Sequence, residues 1–463
     1  MIHLTRSNTV KVVIIGAGEV GFHIASRIAY EQKEVVVIDN NESALQRVSE
    51  SIDVQVIKGS GSSPSVLKEA GIEDAKVVLA VTDSDQINMV ACLFSDYISP
   101  KTMKLVRLRN PDYISYKKAL QKHSPHIHTI INPDIEAVRA IERFMSVPGA
   151  VDVGDFADGR IQLIGFRLTM GSPLLGIRLM DMPRMENGGN ILIAAVIRKE
   201  MLIIPRGKDV LAEGDLVYIV CESRYLTETL RLLKVDTTPV RRVMIIGGGR
   251  VGYKMAAALE KKSIKTKLIE KDPKVCQTLA EKLNRVMVLK GDGTDQNLLI
   301  EENVQNMDMV ITLTGDEETN ILSSLLARRM GARSNITRIS KFSYFPLVEA
   351  IGIDHIVSPR LSAVNTILQH IREGNVLSAI SIKGEQAEVM EAIVQHDSNV
   401  AGKTLQKIPF PKGALVVGVV RKEDTFIPTG STVIQTDDRI IIFAVREVIS
   451  KIEKIMTVKL KYY

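Results

Sequence analysis

Residues 10–21 read VKVVIIGAGEVG, an apolar run that ends in glycines at positions 16, 18 and 21. The spacing predicts a buried parallel strand, a tight turn and the first turn of a helix. The glycines differ in purpose, for Gly16 makes the turn, Gly18 lets the backbone approach a pyrophosphate, and Gly21 permits close packing of helix on strand. The helix that opens there points free N–H groups and its positive end at the phosphates, so Ala17, Glu19 and Val20 join the cradle. The next apolar run, EVVVID, stops on Asp39, 23 residues after Gly16, where a carboxylate accepts from ribose hydroxyls. Three glycines alone are a weak signal. Strand, glycines, helix, strand and acid in that order are a specific one.

The pattern occurs twice. VMIIGGGRVG, residues 243–252, repeats the glycines at 247, 249 and 252 around Gly248, Arg250 and Val251, and TKLIEKD then supplies Glu270. Gly16 to Gly247 and Asp39 to Glu270 are both steps of 231 residues. AVTDSDQIN at 80–88 likewise pairs with TLTGDEETN at 312–320, which sets Thr82 against Thr314. The chain is a tandem duplication.

At 463 residues the chain is too long for one core. Its net charge of +6, spread along the chain, does not by itself argue nucleic acid and is equally compatible with a faint attraction to an anionic membrane face. There is no tryptophan and no recognisable nucleic-acid motif, so no nucleic-acid partner is expected. Cys92, Cys221 and Cys276 lie far apart in or beside apolar stretches, as buried reduced thiols of the cytosol do. No apolar run approaches the ~20 residues of a membrane span, and the leader MIHLTRSNT lacks a signal-peptide core. The expectation is a soluble chain whose membrane role, if any, comes through a partner.

Read outward, the fold class is α/β: two Rossmann-like, doubly wound parallel-sheet lobes, each followed by a small α/β domain. The expected boundaries are 10–131 for the first lobe, 132–150 for a connecting helix, 151–235 for the first small domain, 240–358 for the second lobe, 359–375 for a second connecting helix and 376–463 for the last domain. The TTP at 237–239 marks the join. The strand ends place Gly59, Ser60, Thr82, Asp83 and Arg107 around the first fingerprint, with Gly291, Asp292, Thr314 and Arg338 in the matching places of the second. The small domains repeat too, SPLLGIRL at 172–179 aligning with SNVAGKTL at 398–405 and VIRKEMLIIPRG at 196–207 with VVRKEDTFIPTG at 419–430.

Each motif has a plainer reading. Glycines can be kept for packing alone, and Arg107 can be a surface ion pair as readily as a phosphate clamp. GKT at 402–404 is not a phosphate loop, because the required earlier glycine is Asp397; it reads as a turn into a helix. His123, His126 and His128 read as a solvated loop, since Pro125 breaks their helical spacing. An acid at 39 or 270 favours NAD or an adenosine ribose over NADP. No catalytic His, Lys or Tyr is shared by both halves, so the nucleotide reads as an effector. A NAD-dependent oxidoreductase is the alternative from another class.

These parts resemble the TrkA family, peripheral cytoplasmic subunits of Trk potassium-uptake systems, in which two regulator-of-potassium-conductance (RCK, or KTN) lobes each precede a TrkA-C domain. The resemblance rests on GAGEVG, GGGRVG, Asp39, Glu270, VTDSDQIN, TGDEETN, PLLGIRL and IPRG. It implies a non-enzymatic homotetramer that binds NAD(H) and ATP or ADP on the inner face of the membrane and gates a TrkH- or TrkG-type channel. A Ktr-type channel or a cation/proton antiporter is the other partner such a regulator takes. The family's binding positions fall on Gly16–Val20, Asp39, Thr82, Asp83 and Arg107, and on Gly247–Val251, Glu270 and Arg338. Ser60 departs from Asp292, its counterpart in the second half.

Overall fold

The computed structural model describes residues 10–182, 191–235, 238–353, 355–371, 376–382, 386–396 and 398–456. The leader, Thr237 at the join and Asp397 lie outside these residues. The chain divides into two compact units, residues up to 137 together with 359–371, and residues 138–358 together with those from 372 onward.

In the first unit the chain alternates β1 (Lys11–Ile15), α1 (Glu19–Tyr30), β2 (Glu34–Asp39), α2 (Glu42–Ser51), β3 (Gln55–Lys58), α3 (Pro64–Glu69), β4 (Val77–Ala80), α4 (Asp85–Ile98), β5 (Met103–Arg107), the short α5 (Pro111–Ser115) and α6 (Lys117–Lys122), and β6 (Thr129–Ile131), before α7 (Pro133–Ser146) begins. The strands form one sheet in the order β3-β2-β1-β4-β5-β6, and every neighbouring pair is parallel. The order reverses beside β1, so a crevice opens at the carboxyl ends of β1 and β4.

Strand alternation sends Val13, Ile15, Val36 and Ile38 to a face closed by Leu67 and Cys92, and Val12, Ile14, Val35 and Val37 to the other. That second face receives α1 and also Ala363, Val364, Ile367 and Leu368. These four come from the helix Pro359–Ile371, more than 200 residues along the chain from β6. The sequence placed that helix only as a connector.

The second unit begins with the rest of α7 and a five-stranded sheet of β7 (Asp152–Phe156), β8 (Ile161–Arg167), β9 (Leu192–Arg198), β10 (Met201–Ile203) and β11 (Leu216–Glu222), followed by α8 (Leu226–Leu232). The second lobe follows: β12 (Arg242–Ile246), α9 (Arg250–Lys261), β13 (Lys265–Glu270), α10 (Pro273–Lys282), β14 (Met287–Lys290), α11 (Gln296–Glu301), β15 (Met309–Thr312), α12 (Glu317–Arg329), β16 (Asn335–Arg338), α13 (Phe345–Ala350) and β17 (Ile356–Val357). Its sheet order, β14-β13-β12-β15-β16-β17, copies that of the first lobe. After α14 (Pro359–Ile371) come β18 (Val376–Ile382), β19 (Ala387–Ile393), β20 (Ala414–Arg421), β21 (Asp424–Phe426), β22 (Arg439–Val445) and α15 (Ile449–Met456).

The two small domains are antiparallel sheets ordered β10-β9-β11-β8-β7 and β18-β19-β22-β20-β21. One face of each enters a common core, Phe156, Leu163, Ile197 and Tyr218 meeting Val389, Val417, Ile441 and Phe443. Two half-sized domains thereby bury apolar faces that neither could cover alone. Each keeps a bidentate Arg–Asp pair, Arg198 with Asp215 at 2.8 and 2.7 Å and Arg421 with Asp438 at 2.9 and 2.8 Å. Burial would raise Asp215, but the Arg198 fork and the Ala212 N–H hold it below the usual carboxylate range.

Three details refine the sequence reading. GIRL and GKTL lead into single 3-10 turns, Leu179–Asp181 and Leu405–Lys407, rather than helices. Cys276 is half-buried while Cys92 and Cys221 are buried, and burial pushes the Cys92 thiol up to about 12. Of the three histidines, His126 is more than a loop residue: its Nδ1 lies 3.0 Å from Asp96, which also holds the fully buried Lys104 at 2.6 Å. Among the described residues no helix is long and apolar enough to cross a membrane.

Candidate nucleotide site

The apolar strand β1 carries the chain into Gly16, whose φ of +113° suits glycine and whose added Cβ would come within 3.0 Å of the Thr82 backbone nitrogen. A Cβ on Gly21 would collide with the Gly16 carbonyl oxygen, so α1 sits against the turn only because side chains are missing at both positions. Gly18 differs. Its φ is −64°, ordinary for any residue, and a Cβ there would meet nothing within 4 Å. Neither strain nor packing accounts for this glycine. The space ahead of it is open, and a side chain there would narrow access to the N–H groups that open α1.

Around that space lies a cavity of about 390 Å³, within the range of small-molecule sites. Gly16, Gly18, Glu19, Val20, Asp39, Gly59, Ser60, Thr82, Asp83 and Arg107 line it, so most residues selected on the first half of the sequence converge. Ala17 and Gly21 are buried behind it and act through the backbone. The Ala17 N–H donates to Asp39 Oδ2 at 2.6 Å, and the Asn41 N–H donates to Oδ1 at 2.8 Å. The carboxylate is thus oriented from two sides, with lone pairs left for a diol. Asn88, fully buried, accepts from the Thr82 N–H at 3.0 Å and donates to the Thr82 and Arg107 carbonyls at 3.0 and 2.9 Å, pinning the β4 turn.

Arg107 is buried beneath this turn. Its guanidinium donates to the Val81 and Thr82 carbonyls at 3.2 and 3.4 Å and to Asp83 at 3.1 Å. The side chain therefore shapes the Thr82–Asp83 wall and makes an ion pair with Asp83, the plainer of the two roles weighed on the sequence, though from a buried rather than a surface position. Glu19 is bonded by Arg47 at 2.7 Å. Burial would raise its pKa, but Arg47, His23 and Arg360 together hold it below the usual range.

Sequence reasoning missed Arg360, which lines the cavity from the first turn of α14. No local spacing could reveal it, because it arrives from the far end of the second lobe. Gly61 was missed too; a Cβ there would strike Ile15, a clash readable only in three dimensions.

The second fingerprint repeats the backbone design. Gly247 has φ +104°, Gly249 has open space where its Cβ would be, and a Cβ on Gly252 would collide with the Gly247 carbonyl oxygen. The Gly248 N–H donates to Glu270 Oε2 at 2.7 Å, Asn320 accepts from the Thr314 N–H at 2.8 Å, and Arg338 donates to the Thr314 carbonyl at 3.1 Å. The Gly291 N–H donates to the Glu270 carbonyl at 2.9 Å. Asp292 departs from Ser60: it accepts from the Thr294 N–H and hydroxyl, which hold it below the usual range.

Comparison with known proteins bears on this arrangement. The TrkA-N domain family matches residues 12–133 and 243–359, and the TrkA-C domain family matches 163–234 and 389–457. The chain belongs to the TrkA family. Trk system potassium uptake protein TrkA homolog 2 of Methanosarcina mazei is 36% identical over 96% of this chain and 99% of its own length. The TrkA protein of Halomonas elongata is 33% identical over 98% and 100%. Among solved structures, the GsuK RCK domain aligns with a TM-score of 0.60 at 19% identity, covering 98% of this chain and 96% of that one. A GsuK channel bound to NAD aligns equally well, over 98% of this chain and 80% of its own. At that identity the likeness concerns the fold, and it makes both lobes of this TrkA-family chain RCK-like.

Proposed function

We propose that this TrkA-family chain is the nucleotide-sensing regulatory subunit of a potassium-uptake system. The observation that carries the reading is the pair Gly18 and Gly249, glycines that neither backbone strain nor packing requires, each facing open space beside an oriented acid. Asp39 and Glu270 would hold a ribose diol, and the N–H groups opening α1 and α9 would receive phosphates. NAD(H) and ATP or ADP are the ligands this geometry suits.

The nucleotide acts as an effector. The acids lining the first pocket are engaged structurally, Asp39 by backbone N–H groups, Asp83 by Arg107 and Glu19 by Arg47. Among the described lining residues there is no His, Lys, Cys or Tyr to move a proton. The relatives' naming as Trk uptake proteins supports a membrane channel of TrkH or TrkG type as partner, reached from the cytoplasmic face by a homotetramer. A nucleotide biases such a channel only through different affinity for its open and closed arrangements, and a coupling of about 1–3 kcal/mol gives a several-fold to hundredfold effect.

The test is calorimetric titration of NADH, NAD, ATP and ADP into the purified protein, paired with potassium uptake in cells carrying Asp39→Ala or Glu270→Ala. Binding that disappears with these carboxylates, together with altered uptake, supports the reading. Binding unchanged in both variants refutes the site, and sustained NADH oxidation refutes the effector role.

A further inference from the structure

We propose that Arg360 contacts the ligand of the first-lobe pocket and makes that pocket discriminate nucleotides by phosphate charge, favouring nucleoside di- and triphosphates. The inference rests on the reading that an adenine nucleotide occupies this pocket.

Arg360 lines the cavity together with Gly16, Gly18 and Glu19, and its charge acts on Glu19, the first residue of α1. Its position is held by the helix that carries it. Ala363, Val364, Ile367 and Leu368 of α14 are at most 4% exposed and share a core with Ile14 and Ile24. A cation fixed at the phosphate end by buried packing costs little ordering when ligand arrives.

In the free protein one charge near Arg360 is Glu19, whose carboxylate Arg47 and Arg360 both stabilise. Terminal phosphate oxygens are stronger and more numerous acceptors in the same region, and a planar guanidinium receives them bidentately. A ligand with two or three phosphates at its end gives Arg360 that exchange. AMP offers less, and in NAD the phosphates are internal.

The duplication sharpens the point. The residue matching Glu19, 231 places on, is Arg250, and the residue matching Arg360, one place after the proline that opens each connecting helix, is Asp134. Both charges are inverted between the halves. The two loops thus share glycines and acids yet carry opposite charges where Glu19 and Arg250 stand, and in the first-lobe pocket the acidic Glu19 is joined by the basic Arg360.

The experiment titrates AMP, ADP, ATP and NAD into the full-length protein as wild type, Arg360→Gln, Arg360→Lys, Glu19→Gln and Asp39→Ala, with thermal melts as folding controls. Arg360→Gln is expected to weaken ATP and ADP at least tenfold at the first-lobe site while changing AMP and NAD less than threefold. Arg360→Lys should recover part of the loss, and Glu19→Gln should tighten ATP more than AMP. If Arg360→Gln fails to fold, the Glu19→Gln titration decides. Equal losses for all four ligands, or an unaltered ATP-to-AMP ratio, overturn the proposal; with Asp39→Ala weakening binding tenfold or more, the underlying site survives that result. Wild-type protein that binds none of the four removes both.

Discussion

The two lobes share sheet order, turn glycines and a strand-end acid, yet they differ at one corner of each sheet. In the first lobe β5 carries Lys104, fully buried, bonded at 2.6 Å to Asp96 of α4, which also accepts from Ser124 at 3.0 Å. In the second lobe the matching residues are Asn335 and Arg328, and Arg328 donates outward to the Gly352 carbonyl. The nucleotide turns are copied while this corner is not. Backbone packed as closely as these turns tolerates few residues, whereas a corner that only needs its charges satisfied has several solutions.

The largest effects should come from positions where the lobes agree. Gly21→Ala and Gly252→Ala each force a Cβ into a carbonyl oxygen that cannot retreat, and each should cost about 3 kcal/mol or more in denaturant unfolding. A small loss at one of the two would break the equivalence. Next comes the corner itself. Asp96→Ala strands a buried ammonium and should cost about 3–5 kcal/mol, while Arg328→Ala, at the surface, should stay within about 0.5 kcal/mol. Similar losses would show that the corners are not different in kind.

Asp39→Ala and Glu270→Ala remove an acceptor from the diol and should weaken nucleotide binding by about 1.5–3 kcal/mol, roughly ten- to a hundredfold, with calorimetry resolving whether both sites respond. The smallest effect is in acid. Burial would raise Asp96, but Lys104, His126 and Ser124 hold it below the usual range. A carboxylate depressed by folding contributes stability that is complete above its unfolded value, about 3.9, and is lost as pH falls through its lower folded value. Urea midpoints measured from pH 6 to pH 3 should therefore drop, and the drop should flatten in Asp96→Asn.

Much of the first site was legible because its demands are local. Gly16 and Gly21 answer to one turn, Asp39 ends one strand, and Thr82 lies just past the end of another, each at a spacing set by the backbone. Arg107 was located and its ion pair weighed, but only the folded sheet shows its guanidinium under the Val81 and Thr82 carbonyls. His126 looked like a loop residue because its partner, Asp96, lies 30 residues earlier on a helix.

The sequence by itself determined the duplication, the two doubly wound lobes, the paired small domains and the glycine–acid fingerprints, because periodicity and short spacings record what each backbone segment needs from its neighbours. Only the tertiary structure decided that α14 completes the core of the first lobe, that Arg360 enters its pocket, and that the small-domain sheets share one core. Those outcomes depend on which apolar face meets which, and burial of apolar surface has no direction along the chain.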